Sequence, residues 1–340
     1  MALATLDRIS PFLRCPRCRS ALANEAGTLR CTSPTCPHHS RDAFPVVGNW
    51  PLLVDFECSV LRRDELVLAT ERAGTVLRGE IPAPAIERLP TALRGLWRPL
   101  NRVAARNLDR LLESLPGRSP LLLVVGGGTI GNGVASAYTD PRVQVVGFDI
   151  VGSPHTQFVA DAHQIPLADR SADAVLVQAV LEHVLDPSRV VAEIHRVLRD
   201  GGLVYAETPF LQQVHAGAYD FLRFTASGHR YLFRRFEELD AGSVAGPGTQ
   251  LLWSVDYLVR GLTRSTTAGR LARAAFFWLR LLDTLVPPSH QADNASAFYF
   301  LGRKRDRDMS PEEIVEYYRG AQTGRPRQRR RRTSARAGSP

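Results

Sequence analysis

Four cysteines near the start of the chain carry the first recognisable chemistry. Cys15-Pro-Arg-Cys18 and Cys31-Thr-Ser-Pro-Thr-Cys36 form two knuckles, C-x2-C and C-x4-C, with twelve residues between them. Two such turns can place four thiolates tetrahedrally, which is the geometry zinc takes. Four protein ligands leave no open position, so the ion's contribution would be to folding. Pro16, Pro34 and Pro37 suit the tight turns. His38 or His39 could stand in for Cys36, and a zinc-free hairpin with buried thiols is the competing reading. Cys58 is left over and reads as a plain buried residue.

The second constellation is a glycine loop followed by acids. Gly126, Gly128 and Gly131 satisfy G-x-G-x-x-G directly after the apolar run Leu121 to Val125. A ligand approaching the backbone at a strand's end needs the Cβ positions empty. Asp149 ends the next apolar run, 18 residues after Gly131, where a carboxylate can accept both hydroxyls of a ribose. Taken alone, this pattern fits a nicotinamide dehydrogenase, a methyltransferase or a ligand-free glycine turn. The third constellation is polar. His215 is followed by Tyr219, Asp220 and Arg223 within nine residues. An imidazole titrating near neutrality can take a proton from a hydroxyl or ammonium nucleophile, so His215 is the candidate base. Tyr219 and Arg223 are candidate substrate contacts, Arg223 through a carboxylate or phosphate. Asp220 and Arg223 could equally pair with each other, three residues apart on a helical turn. Tyr219, Phe221 and Phe224 could equally be core. His183 could reach the same place.

These groups need a scaffold, and residues 119–302 supply its pattern. Continuous apolar runs at Leu121–Val125, Val143–Phe148, Phe158–Ala160, Ala174–Val177 and Leu203–Ala206 read as strands buried on both faces of a parallel sheet. Between the last two lies an amphipathic helix. Asp186 is its expected cap, Pro187 its first residue, Val190, Val191, Ile194, Val197 and Leu198 its buried face, and Gly201 its stop. Strands alternating with helices predict an α/β, doubly wound, mostly parallel sheet with its ligand at the carboxyl ends of the strands. Ala297–Gly302 reads as a last strand completing an antiparallel hairpin at the sheet edge. Residues of about 251–286 read as a helical insertion packed on the core rather than on a membrane surface.

The run Gly147-Phe-Asp-Ile, Ala160-Asp161-Ala162, Ser171-Ala-Asp173-Ala-Val-Leu-Val, Leu181-Glu-His-Val-Leu-Asp-Pro and Arg196-Val-Leu-Arg-Asp-Gly-Gly202 resembles the class I S-adenosylmethionine-dependent methyltransferases of the type 11 group. The resemblance covers about residues 119–210. It implies a Rossmann-like sheet of seven strands. It also implies S-adenosyl-L-methionine contacts from Gly126, Gly127 and Gly128 (methionine part), Asp149 and the adjoining Ile150 (ribose), Asp161 and Ala162 (adenine amine) and Gln178 (methionine end, with Ala179). Two positions depart from the family pattern. Val124 stands where an acid is usual, and Ile130 stands where the compact loop has its third glycine. The loop carrying His215 looks like one found in relatives that tailor sugars or secondary metabolites. The cysteine head, followed by Phe44-Pro-Val-Val-Gly-Asn-Trp-Pro-Leu-Leu-Val-Asp55, is similar to small zinc-ribbon proteins that activate tRNA and protein methyltransferases.

The expected organisation is a zinc-ribbon module over 1–57, a helical linker or cap over 58–118, a methyltransferase domain over 119–302 and a basic, largely disordered tail over 303–340. Leu93, Leu96 and Trp97 mark part of the helical pattern in the second segment. The net charge of +9 is mostly the tail's, because eight arginines and no acid lie between Arg319 and Pro340. The body is therefore nearly neutral, which disfavours nucleic acid as partner. Lys304 is the only lysine, so lysine-based chemistry is close to excluded. The longest greasy stretch, Leu271 to Val286, is broken by Arg273, Arg280 and Asp283, so no transmembrane segment is expected. With no signal-peptide pattern, a cytoplasmic setting is expected. The function expected is methyl transfer to O or N of a small-molecule acceptor. The alternatives are an RNA or protein methyltransferase docking through ribbon and tail, a catalytically silent scaffold of the same fold, and a nicotinamide oxidoreductase. The oligomeric state is open.

Overall fold

The computed structural model describes residues 2–25, 28–40, 43–77, 100–117 and 119–322. Leu93, Leu96, Trp97 and the tail beyond residue 322 lie outside the described residues. Among the described residues there are eleven strands: β1 (Leu22–Glu25), β2 (Thr28–Cys31), β3 (Val46–Val47), β4 (Trp50–Leu53), β5 (Leu121–Val125), β6 (Gln144–Asp149), β7 (Phe158–Ala160), β8 (Ala172–Gln178), β9 (Leu198–Pro209), β10 (Phe236–Ala245) and β11 (Ala297–Lys304). β1 and β2 form a hairpin, and the other nine make one sheet in the order β10-β11-β9-β8-β5-β6-β7-β4-β3.

Alternation along β5 shows why its run is apolar throughout. Leu121, Leu123 and Val125 face one buried cluster, with Val190, Ile194 and Val197 of the helix Pro187–Val197. Leu122 and Val124 face the other, with Ala104, Leu108 and Leu111 of the helix Arg102–Glu113. β5 is flanked by β6 on one side and β8 on the other, both parallel to it. The winding direction reverses there, and the carboxyl ends of β5, β6 and β8 open a crevice.

Two sequence expectations are corrected here. The sheet has nine strands, not seven, because β4 of the cysteine head pairs in parallel with β7, Leu52 against Val159 and Leu53 against Ala160. The head is thus continuous with the sheet. Trp50 locks this edge, its indole N–H donating to the carbonyls of Ser153 and Thr156, 3.1 Å each. As expected, β11 completes an antiparallel pair with β10 at the sheet edge, and on its other side it lies antiparallel to β9. Finally, the helix capped by Asp186 ends at Val197 and runs straight into β9. Gly201, with φ of +74°, belongs to an irregularity in β9 where the register jumps from Leu198 to Leu203.

Between β10 and β11 the chain forms the helices Pro247–Thr263, Thr266–Ala275 and Pro288–Asn294, with a 3-10 stretch Phe277–Leu285. This insertion does not pack tightly on the core as expected. Leu258, Leu262, Leu271 and Leu285 are all more than 60% exposed. Among the described residues no helix is long and apolar enough to cross a membrane.

His229, on the short helix Ala226–Leu232, is buried against Phe233 and Phe300, and its Nε2 has no hydrogen-bond partner. Burial pushes its pKa down to about 3. Below the ordinary value near 6.5 the unfolded chain takes a proton that the folded chain refuses. Stability should therefore be full above pH 6.5 and fall by about 1.4 kcal/mol per pH unit below it, until the folded group itself titrates. His229→Leu should flatten this fall: between pH 7 and pH 5, urea unfolding of the natural chain should lose about 2 kcal/mol more than the variant. Parallel curves for the two proteins would rule out His229 as the source.

Candidate functional site

A cavity of about 670 Å³ occupies the crevice, with Gly126, Gly131, Asp149, Asp161, Gln178 and Glu207 in its wall. The glycine loop leaves β5 and turns over the end of β6. The Gly128 N–H donates to Asp149 Oδ2 at 2.8 Å, and a Cβ built on Gly128 would lie 2.7 Å from that same oxygen. Asp149 Oδ1 accepts from the Ile150 N–H at 2.6 Å. Burial raises the Asp149 pKa, and these N–H groups oppose the rise. Gly127 serves the loop, donating its N–H to Phe148 O, while the side chain of Ile150 is exposed at the cavity rim. The sequence-expected acid at the end of β6 therefore faces the bare loop.

Asp161 follows β7 and caps a 3-10 turn, accepting from the His163 N–H (2.9 Å) and lying 2.6 Å from His163 Nδ1. Ser59 Oγ donates to its other oxygen at 2.5 Å. Burial works against ionisation, yet the bonds from His163 and Ser59 hold this carboxyl below the usual range. Ala162 lines the cavity beside it. Ser59, Val60 and Leu61 come from the segment that leaves β4, and Val60 and Leu61 line the same cavity. Nothing in the sequence pattern marked them.

Glu207, in β9, is a further residue missed by pattern. Its carboxylate is 7% exposed and accepts from Asn101 Nδ2 (3.0 Å to each oxygen), Gln178 Nε2 (2.7 Å) and Tyr205 OH (2.5 Å). Burial raises its pKa against those donors. An acid standing at the end of the apolar run Leu203–Ala206 was the available signal. Val124, the position lacking the family's acid, lines the same cavity.

A second cavity of about 930 Å³ lies under the helical insertion, walled by Trp253, Tyr257, Phe277 and Arg280 among others. Asn101, Asn132, Ala179 and Glu207 border both cavities. Ala179, at the partition, has φ of +55°, a left-handed conformation costing about 1–2 kcal/mol for a residue with a Cβ.

The polar loop after β9 is placed differently from expectation. Arg223, expected to orient substrate, borders neither cavity and braces the loop. It pairs with Asp220 and donates to the carbonyls of Gln212 (2.9 Å), Gln213 (3.1 Å) and Leu222 (2.8 Å). The hydrogen bond from Arg223 holds Asp220 well below the usual carboxylate range. Tyr219 and Phe221 are not core but 46% and 39% exposed, and they line the first cavity. His215 borders the second cavity, and its Nε2 points at His183 Nε2, 3.2 Å away, with Glu182 beneath.

In the head, Cys15, Cys18, Cys31 and Cys36 converge, with all four sulfurs within 4.8 Å of one another. Cys15 Sγ to Cys36 Sγ is 3.8 Å and Cys18 Sγ to Cys31 Sγ is 3.3 Å. Zinc at about 2.3 Å from tetrahedral thiolates sets them about 3.8 Å apart, so the donor set fits that ion. The histidines do not substitute for Cys36. His38 stacks on Phe44 and faces Asp55, and His39 Nδ1 lies 2.7 Å from Cys31 O. Cys58 is exposed, contrary to its reading as a buried residue.

Residues 125–206 match the family described as Methyltransferase domain. Among curated proteins, the chain is 30% identical over 139 residues to the ubiquinone/menaquinone biosynthesis C-methyltransferase UbiE of Desulfotalea psychrophila, covering 35% of this chain and 56% of that one. It is 36% identical over 105 residues to the demethylmenaquinone methyltransferase of Renibacterium salmoninarum, covering 28% and 43%. The chain spans about a third to just over half the length of the curated relatives it matches. Among solved structures, the complex between the Haloferax volcanii Trm112 methyltransferase activator and a methyltransferase superposes with a TM-score of 0.40 at 17% identity, covering 66% of this chain and all of that one.

Removing the Arg223 fork should release the loop. The His215 N–H is held by Asp220 Oδ2 at 2.8 Å, and Asp220 is held by Arg223. A hydrogen bond to a charged group contributes about 1.5–3 kcal/mol, and 1.4 kcal/mol is tenfold. In Arg223→Ala the His215 amide should exchange hydrogen at least tenfold faster, read by mass spectrometry. Unchanged exchange would mean that other contacts hold the loop.

Proposed function

We propose that this chain transfers a methyl group from S-adenosyl-L-methionine to oxygen or nitrogen of a small-molecule acceptor. The observation carrying this reading is the open cavity under the glycine loop, with Asp149 and Asp161 at the ends of neighbouring strands and both facing it. When bound, the cofactor supplies a methyl on a positively charged sulfur, already a strong electrophile. The chain's own work is to bind, aim and exclude water. Asp149 would accept the ribose hydroxyls, with Ile150 at the rim. Asp161 and the backbone of Ala162 would face the adenine amine. Gly126, Gly127 and Gly128 give the main-chain bend under the methionine part, and Gln178 borders its end. Glu207, on β9 two strands away from Val124 in the same sheet, would supply the acid that Val124 does not.

The second cavity is the acceptor's place, because it meets the first at Ala179 and is closed over by the helical insertion. Its enclosure favours a small molecule over RNA or protein. Tyr219 stands between loop and cofactor cavity and is the substrate contact retained from the sequence. The four cysteines would hold a structural zinc, and the head would act as a built-in ribbon module resembling the activator proteins. The chain divides functionally into this head over 1–57, a connecting segment over 58–118, the methyl-transfer unit over 119–302 with its insertion, and the basic tail over 303–340. A cytoplasmic setting goes with the reduced cysteines.

Calorimetry with S-adenosylhomocysteine tests the cofactor reading. The natural chain should bind it, and Asp149→Ala should weaken binding at least tenfold, since a hydrogen bond to a charged group contributes about 1.5–3 kcal/mol. No binding by a folded protein would favour the silent scaffold, and NADH binding in its place an oxidoreductase. For the head, elemental analysis should give at least one zinc per chain. Cys18→Ser should lower both the zinc content and the melting temperature, because metal binding free energy is folding free energy. Full stability without zinc would leave the hairpin with plain thiols.

A further inference from the structure

Glu182 and His183 lie on the 3-10 turn after β8, and His215 comes from the loop after β9. Their donor atoms converge. His183 Nε2 and His215 Nε2 are 3.2 Å apart, and Glu182 Oε1 is 3.6 Å from the first and 3.8 Å from the second. The other nitrogen of each ring faces acceptors alone. His183 Nδ1 is 2.7 Å from Tyr219 O. His215 Nδ1 is 3.3 Å from Gln213 O and 3.3 Å from Asp220 Oδ2. A carbonyl or carboxylate partner puts the ring proton on Nδ1. With the proton on Nδ1, each imidazole turns an Nε2 lone pair toward the other and toward the carboxylate. Neither oxygen of Glu182 has a hydrogen-bond partner, although its side chain is 1% exposed.

Three electron-rich atoms around one point repel unless a proton or a metal cation joins them. Ligands about 2.1 Å from an ion at tetrahedral angles stand about 3.4 Å apart, and the observed 3.2, 3.6 and 3.8 Å bracket that spacing. Two imidazoles and one carboxylate suit a first-row transition metal rather than magnesium or calcium. The carbonyl on one Nδ1 and the carboxylate on the other are the outer partners that fix the tautomer of metal-bound histidines.

We propose that Glu182, His183 and His215 bind a divalent transition-metal ion at the partition between the two cavities. His183 borders the first cavity, and Glu182 and His215 border the second. Three protein ligands leave positions open, as in a catalytic rather than a structural site. The open positions face the acceptor cavity, so the ligand class is an oxygen donor, a hydroxyl or a vicinal pair of them. For the acceptor this rests on the methyl-transfer reading, whereas metal binding does not. An acceptor hydroxyl at the ion gives its proton to water. Its oxygen then takes the methyl as the S–CH3 bond breaks, and sulfur keeps the electron pair of that bond. His215 is on this account a ligand and not the base.

Cobalt(II) titration of the full-length, zinc-loaded protein tests the site without any methyl donor. One equivalent should bind with visible d–d absorption and without the sulfur charge-transfer band that cobalt at the cysteine head would show. Glu182→Gln and His215→Ala should weaken this binding by more than the roughly 10- to 100-fold that loss of an outer partner costs, and Asp220→Asn by about that amount. Catechol, a bidentate oxygen probe, should shift the spectrum if the open positions exist. Circular dichroism and S-adenosylhomocysteine binding of the variants report folding and the cofactor reading separately. Cobalt seen at the thiolates alone, or binding unaffected by Glu182→Gln and His215→Ala, overturns the proposal and leaves the three groups sharing a proton. A bound ion with no catechol shift overturns the acceptor role.

Discussion

Burying a carboxylate is costly unless something answers its charge. Four of them, Asp149, Asp161, Glu182 and Glu207, lie buried or half-buried around adjoining cavities, and each is answered differently. Glu207 receives side-chain donors from Asn101, Gln178 and Tyr205. These donors fix its position. Asp161 is held by His163 and Ser59. Asp149 takes only main-chain N–H groups of the loop that a ligand would touch. Its bonds can be shared or exchanged with incoming hydroxyls without unmaking the fold. Glu182 receives nothing, and burial pushes its pKa up to about 7. The gradation from fully answered to unanswered runs from scaffold to chemistry.

The sheet explains why the head matters to the cavity. A two-residue parallel ladder is a short joint, yet it is backed by Ile9, Leu13, Phe44 and Leu53, which share one buried cluster with β5 and the helix Pro187–Val197. Further ties run from Arg14 N–H to Pro166 O, from Ala168 N–H to Phe12 O, and from Arg19 to Glu193. With the head so fixed, the chain leaving β4 has little choice of path. Ser59 meets Asp161 and Leu61 closes the wall. A structural metal in the head would therefore steady one side of the cavity at a distance, through backbone continuity rather than direct contact.

The central strands were legible because burial on both faces leaves an uninterrupted apolar run, and an acid at its end stands out against that run. Asp149 and Asp161 were found this way, and the glycines and four cysteines through their spacing. What escaped has a common cause. β4 contains a tryptophan and a proline, and its partner β7 lies about a hundred residues later, so no local periodicity marks the pairing. Ser59 is an ordinary serine until the fold brings Asp161 to it. For Arg223 the sequence offers both a substrate contact and a pair with Asp220; the structure has the pair, and the three carbonyls that take its other protons could not be read from sequence. Glu182 was visible in the motif but read only as family resemblance, since its lack of partners is a property of the folded state.

The helical insertion brings the argument to the acceptor. Its inner side mixes Trp253, Tyr257 and Phe277 with Arg260, Arg273 and Arg280, and Asp256 receives a two-pronged bond from Arg260 at 2.6 and 2.8 Å. Such a wall suits a molecule with a flat apolar body and a polar or anionic edge, because aromatic faces reward area while guanidinium groups reward charge. The partition at Ala179 then decides orientation. On the methyl-transfer reading, an acceptor seated with its apolar body against the insertion would present its polar edge toward Glu182, His183 and His215. The strained backbone at Ala179 narrows that passage without putting a bulky side chain in it. On the methyl-transfer reading proposed above, the residues shared by the two cavities, Asn101, Asn132, Ala179 and Glu207, would decide which atom of the acceptor is reached.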